Sequence, residues 1–348
     1  MYRFDPLGDN RWDQFLLRHP HSSVFHASAW IKALADTYGY TAVAFTTSPP
    51  AAELRNAVLF CRIDSWLTGR RLVSLPFSDH CELLTSADDS LTEIWTALEH
   101  ELAESDLRYI ELRPVHPLAP MAARRLGATY CLHLLDLTPS LDDIFSRFHK
   151  DSTQRKIRRA ESEGLSYEEG TSNAFLDEFL RLRLLTQRRH GVPPQPTKWF
   201  RNLIECFGER LKIRVAFRNK KAIAAILTLQ YKNMMVYKYG GSDAQSHRFG
   251  GMHLLLWRSI QEAKQQNLAL FDFGRSDWSN PGLIAFKDRW GAARSNLTYS
   301  LISDPATFKP HPLHTEGDWK SQIGRRFIPY LPDALLRTIG SAVYRHIG

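Results

Sequence analysis

Two β-rich runs, AIAAILTLQ and MMVYKYG, face each other across Tyr231-Lys232-Asn233, and the polar break at Lys232-Asn233 predicts a hairpin. A second pattern is longer. LTEIWTALEHELAESDLRYIELRP (Leu91 to Pro114) echoes HLLLWRSIQEAKQQNLALFDFGRS (His253 to Ser276). Trp95 matches Trp257 and Leu98 matches Ile260; after a one-residue slip, Leu107, Ile110, Glu111 and Leu112 match Leu268, Phe271, Asp272 and Phe273. Each copy reads as an amphipathic helix, a polar turn, and a strand that carries an acid and ends near an arginine, Arg113 or Arg275. Upstream of each lies a strand running into a polar loop, RRLVSLPFSDH in the first and NMMVYKYGGSD in the second. The pattern predicts a duplicated α/β unit. The boundary falls near Leu137 to Leu141, where LLDLTPSLDD leaves a strand and Ser140 with two acids caps a new helix. This gives domains over 1–138 and 139–303 and a basic tail over 304–348. In the tail Leu335, Leu336, Ile339, Val343 and Ile347 share a helix face with Arg337 and Arg345 off it, which suits docking on the protein or lying on an anionic membrane.

The length of 348 residues exceeds one ordinary domain, and 43% hydrophobic with 24% charged residues is the composition of a folded chain. The net charge of +8 favours an anionic partner. Cys61, Cys81, Cys131 and Cys206 form no CxxC pair, so neither zinc nor a disulfide framework is indicated, and no metal is expected at Asp79-His80-Cys81 without a second ligand pair. With no apolar stretch of signal-peptide or transmembrane type, a cytoplasmic protein is expected. The basic stretch KDSTQRKIRR (Lys150 to Arg159) surrounds its helix with charge, with Ile157 and Ala160 as anchors. No zinc-finger, RNP or helix-turn-helix pattern accompanies it, so sequence-specific DNA binding is not expected, while contact with tRNA phosphates is compatible.

Polar residues in strand-like surroundings point to chemistry. In FDFGRSDWSNPGLIAFKDRWGA (Phe271 to Ala292) the alternation sets Phe271 and Phe273 toward the core and Asp272 toward a cleft, paired with Arg275 or Lys287. Arg275, after the break at Gly274, is placed to clamp a phosphate or carboxylate, or else to pair with Asp277. In SHRFGGMH, Gly250 and Gly251 put bare N–H groups and a helix start beside Arg248, an arrangement that suits phosphate; a flexible turn is the plain alternative. The first copy has SADDSLTE there, where Asp88 and Asp89 repel an anion.

The blocks FDFGRS…GLIAFKDRWGA, HPHSSVFHASAWIKAL and IFSRFHKDSTQRKIRRAESEGL resemble the FemAB-type branch of the GNAT acyltransferase superfamily, and most closely its members associated with exopolysaccharide and PEP-CTERM protein-sorting (exosortase) systems. The resemblance runs from about Phe15 to Tyr299. It implies two tandem GNAT-like domains with mixed central sheets flanked by helices, the active cleft on the second, and transfer of an acyl or aminoacyl group to an amine. It also implies an acceptor lying partly against the first domain, at Asp79, His80 and Arg113. Such transfer needs a neutral amine, a proton acceptor, and positive charge where the carbonyl oxygen becomes negative. Alternation puts Tyr237 and Tyr239 on one strand face. By resemblance Lys287 faces the reacting acyl group and that strand borders the donor, one tyrosine packing in the core and the other, with Tyr239 as the candidate, donating to the leaving group. His190, in TQRRHGVPP, lies near the acceptor and is a candidate for the amine proton, or a helix C-cap. No tightly bound cofactor is implied; the donor is an acyl-CoA or an aminoacyl-tRNA. Arg248-Phe249-Gly250-Gly251-Met252-His253 meets half of the GNAT pyrophosphate pattern, and no long helical-hairpin insertion is present. Expected partners are this anionic or tRNA-linked donor and an amine acceptor of the cell envelope. If the acceptor is lipid-linked, the tail is expected to touch the inner membrane face. A degenerate GNAT pair that binds a glycan, peptide or RNA without turnover is the alternative.

Overall fold

The structure is a computed structural model that describes residues 1–85, 91–118, 124–303 and 328–347. Asp88 and Asp89 lie outside the described residues. In chain order the elements are β1 (Tyr2–Phe4), α1 (Arg11–Arg18), α2 (Ser28–Tyr38), β2 (Thr41–Thr46), β3 (Val58–Ser65), β4 (Gly69–Val73), α3 (Leu91–Glu104), β5 (Tyr109–Leu112) and β6 (Arg124–Asp136). There follow α4 (Leu141–Arg147), α5 (Arg155–Ser162), β7 (Ser166–Gly170), α6 (Asn173–His190), α7 (Thr197–Phe207), β8 (Leu211–Arg218), β9 (Lys221–Tyr231) and β10 (Met234–Ser242). The chain closes with α8 (Gly251–Gln265), β11 (Leu270–Asp277), α9 (Pro281–Asp288), β12 (Ala293–Ile302) and α10 (Asp333–Tyr344). Two compact units result. One gathers the described residues of Met1–Thr129, Leu297–Asp318 and Ala342–Gly348, the other those of Tyr130–Asn296 and Trp319–Ser341.

In the first unit the strands run β1-β2-β3-β4-β5-β12. The β4 to β5 pairing is parallel, Arg71 beside Tyr109 through Val73 beside Glu111, and α3 precedes β5 in the crossover. Ile94, Trp95 and Leu98 of α3 bury against Leu72, Ile110 and Leu112. Full burial of such side chains contributes about 1.5–3 kcal/mol each.

The second unit repeats this build. Its strands run β6-β11-β10-β9-β8-β7. Here too a parallel pairing, β10 with β11, is joined through a helix, α8. Trp257 and Ile260 occupy the places of Trp95 and Leu98 and bury in the core with Phe271 and Phe273. The echo in the sequence is thus an echo in space: the same crossover, the same core positions. The β9–β10 hairpin turns at Lys232, whose φ of 50° is the left-handed value such a turn requires. Ser140 caps α4 through its hydroxyl, which accepts the Asp143 N–H at 3.1 Å. Ile157 and Ala160 are the buried anchors of α5, leaving its basic residues to face outward or toward a neighbouring space.

On α10 the buried positions are Leu336 and Gly340, and Leu336 packs with Leu184 and Ile328. The helix is docked on the second unit, and Leu335, expected on the same face, is exposed. Among the described residues no helix is long and apolar enough to cross a membrane.

Candidate active site

The site begins where β10 and β11 part. They pair in parallel only from Met234 beside Leu270 to Val236 beside Asp272. Past that point β10 stays with β9 as far as Ser242, and β11 with β6 as far as Asp277. Both strands bulge as they separate, β10 between Tyr237 and Tyr239 and β11 between Asp272 and Arg275. A bulge inserts a residue and re-aims the side chains after it.

A cavity of about 600 Å³ lies in this second unit, lined by Tyr237, Gly240 and Ser242 from β10, by Gly250 to His253 at the start of α8, and by Gly282, Leu283 and Phe286 of α9. The end of α6 adds Thr186, Arg189 and His190, and α5 adds Lys156. Among the described residues lining it there is no aspartate or glutamate. Lys156 and Arg189 make no hydrogen bond or ion pair within the described residues. Burial, followed by the nearby Arg289 and Arg155, lowers the Lys156 pKa from its ordinary value. The α8 N-terminus has no side-chain cap; its N-cap is Gly250. Cations without counter-charges and uncapped amides facing one cavity make a receptor for an anion.

Gly250 is required here for a reason beyond bare amides. Its φ is +80°, and a Cβ would stand 2.4 Å from the Lys156 carbonyl oxygen, so only glycine lets α5 come this close to the start of α8. Arg248 is exposed, lies over the Phe249 ring at 4.7 Å and does not line the cavity.

The tyrosines differ from the expectation that they share a face, because the bulge between them breaks the alternation. Tyr237 lines the cavity, and burial pushes its phenol up to about 12. Tyr239 turns into the core instead, where its oxygen accepts from Trp199 Nε1 at 3.0 Å and Gln195 Nε2 at 3.3 Å.

Asp272 corrects the simple alternation argument as well. Its flanking phenylalanines do fill the core, but the acid is itself fully buried, and its Oδ1 accepts the Gly274 N–H at 2.6 Å, closing the bulge. Lys287 sits on α9 and is 3% exposed. Its Nζ donates to the carbonyls of Gly274 at 2.8 Å and Arg275 at 3.0 Å. Asp272 and Lys287 therefore grip the same bulge from two sides, and neither lines the cavity. The Arg275 guanidinium stacks over Tyr130 at 4.0 Å, away from the cavity lining.

In the first unit the residues expected at an acceptor surface are buried and tie down a loop. Arg113 donates from Nε to Glu111 at 2.7 Å and from Nη1 to the carbonyls of Leu75 at 2.8 Å and Ser78 at 3.2 Å. Leu75 and Phe77 hold left-handed φ values of 56° and 60°, so this clamp maintains a costly turn. The Asp79 carbonyl accepts from Tyr299 Oη at 2.8 Å, and His80 meets Phe25 edge to face at 5.2 Å.

Residues 147–288, which contain the cavity's cationic wall, both bulges and Lys287, match the family profile described as acetyltransferase (GNAT) domain. The chain carries a GNAT domain. It is also 28% identical over 158 residues to the UDP-N-acetylmuramoylpentapeptide-lysine N(6)-alanyltransferase of Weissella viridescens, a match covering 44% of this chain and 47% of that protein. The chain thus spans about half the length of the curated relative it matches. Among solved structures, the crystal structure of FemX has a TM-score of 0.66 at 12% identity, covering 86% of this chain and 97% of that one. A tandem GNAT protein from the clavulanic acid biosynthesis pathway has a TM-score of 0.54 at 11% identity, covering 87% and 98%. At such identities the likeness is one of fold: mixed α/β, of the tandem GNAT kind.

Lys156, Arg189 and His253 were not distinguished by the sequence. Lys156 sits in a helix that is basic all round, and only the packing of α5 against α8 selects the one lysine that meets the cavity.

Proposed function

We propose that this chain is an N-acyltransferase of FemAB/GNAT type that moves an acyl or aminoacyl group to an amine of a cell-envelope or exopolysaccharide-related acceptor. The observation that carries the reading is the cavity in the GNAT domain beside the part of β10 beyond its pairing with β11, with Lys156, Arg189 and the uncapped α8 N-terminus unopposed by any carboxylate among its described lining residues. Acyl-CoA and aminoacyl-tRNA share one chemistry at such a place, a phosphate ester attached to an activated acyl group. In the step proposed, the amine nitrogen attacks the acyl carbon, the C–S or C–O bond to the donor breaks, and the leaving sulfur or oxygen takes a proton. His190, on the cavity wall, is the candidate to receive the amine proton. Tyr237, whose raised pKa keeps the phenol protonated at neutral pH, serves as a donor rather than a base. Asp272 and Lys287 keep the β11 bulge in shape, a positioning role. Asp79, His80 and Arg113 shape a loop on the acceptor side.

Because both donor types are cytoplasmic pools, the reading places the reaction on the cytoplasmic side. A lipid-linked acceptor, peripheral membrane contact and a place in a PEP-CTERM system belong to the same reading.

The test offers labelled acyl-CoA and aminoacyl-tRNA in turn, with UDP-linked muramoyl pentapeptide as amine acceptor. Transfer from one donor is expected, and Lys156→Met should weaken its binding by roughly tenfold through the lost charge-assisted contact. A protein that binds donor or acceptor but never transfers would be a binding module, and the enzyme reading would fall.

A further inference from the structure

His253 is the third residue of α8, is 7% exposed, and contributes to the cavity wall. Its ring stacks on Trp290 at 5.7 Å with a 23° tilt and meets Phe286 edge to face at 5.4 Å. Neither ring nitrogen makes a hydrogen bond within the described residues, and neither is among the side-chain atoms sealed away from solvent without a partner. The polar edge of a nine-tenths buried imidazole is therefore left open to the cavity alone. Leaving such an edge unmatched costs free energy unless something enters to match it.

Its place on the helix says what would enter. Side chains in the first turn lean back toward the N-terminus, so the imidazole stands beside the same unpaired amides that begin α8. Helices often put a glutamate at this third position, whose carboxylate reaches back and caps the turn. A histidine held neutral does not do so. Burial first, and then Lys156, His247 and Arg289, hold its pKa down to about 3, and none of the described cavity-lining residues is an acid that could favour the charged form. The turn is left open for an anion from outside, with a neutral N–H beside it.

We propose that His253 reads the donor: its neutral imidazole donates a hydrogen bond to an oxygen of the phosphate ester that settles on the first turn of α8. The inference rests on the cavity being the donor site proposed above, and its test separates the two. Binding of coenzyme A and of a deacylated tRNA minihelix is measured by calorimetry on the full chain, one arm for each source of phosphate ester. His253→Phe keeps the ring between Trp290 and Phe286 and removes only the N–H; it should weaken the probe that binds by roughly tenfold. His253→Asn returns a donor and should recover part of that loss. Nitrogen-detected NMR of the unmodified protein provides the check that needs no variant: the His253 ring should be neutral before probe is added, and its N–H resonance should shift on addition. If the wild-type chain binds neither probe, the donor-site reading fails and this inference with it. If a probe binds and Lys156→Met weakens it while His253→Phe does not, His253 is overturned alone. Equal loss in His253→Phe and His253→Asn, with no shift of the ring signal, assigns the histidine to packing and also overturns it.

Discussion

The Lys287 ammonium lies 2.8 Å from the carbonyl oxygen of Gly274, and 3.0 Å from that of Arg275, across the bulge that ends the parallel pairing of β11 with β10. A lysine this buried is held by its acceptors, and the two carbonyls gain a charged donor where the register of β11 against β6 shifts. Lys287→Met keeps the stem and strands both carbonyls, at about 1–3 kcal/mol for each one that water does not reach. The variant should melt several degrees lower and transfer the acyl group poorly. An unchanged melting curve would show that the carbonyls are otherwise satisfied and that the ammonium serves chemistry only.

The two glycines that open α8 should behave differently. Gly250→Ala forces a side chain into the left-handed region and sets its Cβ against the Lys156 carbonyl, whereas an Ala at 251 keeps an ordinary φ and crowds the Ala224 and Ile223 side chains at 3.1–3.3 Å without striking backbone. The left-handed residue alone costs about 1–2 kcal/mol. Calorimetric melts should rank Gly250→Ala well below Gly251→Ala, and donor binding should fall with it, because the displaced strand of backbone carries Lys156.

What could be seen in the sequence was local and periodic. The β9–β10 hairpin, the Ser140 cap, and the paired helix–strand copies around Trp95 and Trp257 all follow from alternation and spacing within a few residues. What escaped depends on departures from period. One bulge separates Tyr237 from Tyr239, and another folds Asp272 back onto the Gly274 amide, so the face assigned by alternation is not the face each residue occupies. Lys287 was recognisable from its motif but its partners were not, because a carbonyl carries no signature in the residue that owns it.

His26 gives the first unit a pH dependence with a definite sign. Its Nδ1 accepts the Ser23 N–H at 3.0 Å, and its Nε2 lies 3.0 Å from the Glu82 carbonyl oxygen, so the neutral form with the proton on Nε2 fits and a second proton does not. Burial lowers its pKa to about 4 from the ordinary 6.5. As pH falls below the unfolded value, the unfolded chain takes up the proton first, so the stability is complete above it and is lost toward the folded value, at about 1.4 kcal/mol per pH unit. His253 adds to the same slope in the second unit. Urea midpoints should drop between about pH 7 and pH 5, while NMR shows the His26 ring neutral in the folded protein across that range. A His26 ring that titrates near its ordinary value would contradict the assignment.

The docking of α10 rests on one close approach. A Cβ on Gly340 would stand 1.8 Å from the carbonyl oxygen of Pro194, so the helix lies against that backbone only because the position is glycine. Leu336 completes the contact by filling a space bounded by Leu184 and Ile328, and Arg188 anchors the helix start through the Leu331 carbonyl and the Asp333 carboxylate. Gly340→Ala should therefore lift the helix rather than compress it, since the backbone it would strike belongs to a proline-rich segment that has little freedom to retreat. Hydrogen exchange should rise through Leu336 to Gly340 in the variant, and the exposed Leu184 should raise binding of a hydrophobic dye. Leu336→Ala leaves the approach intact and empties the space behind it, a change that typically costs about 2–5 kcal/mol for a buried leucine. It should loosen the helix without the local clash. The freed helix also provides the membrane test: if its apolar face has affinity for anionic lipid, Gly340→Ala will partition into anionic vesicles more than the parent does. Equal partition of the two proteins would leave docking as the whole purpose of that face.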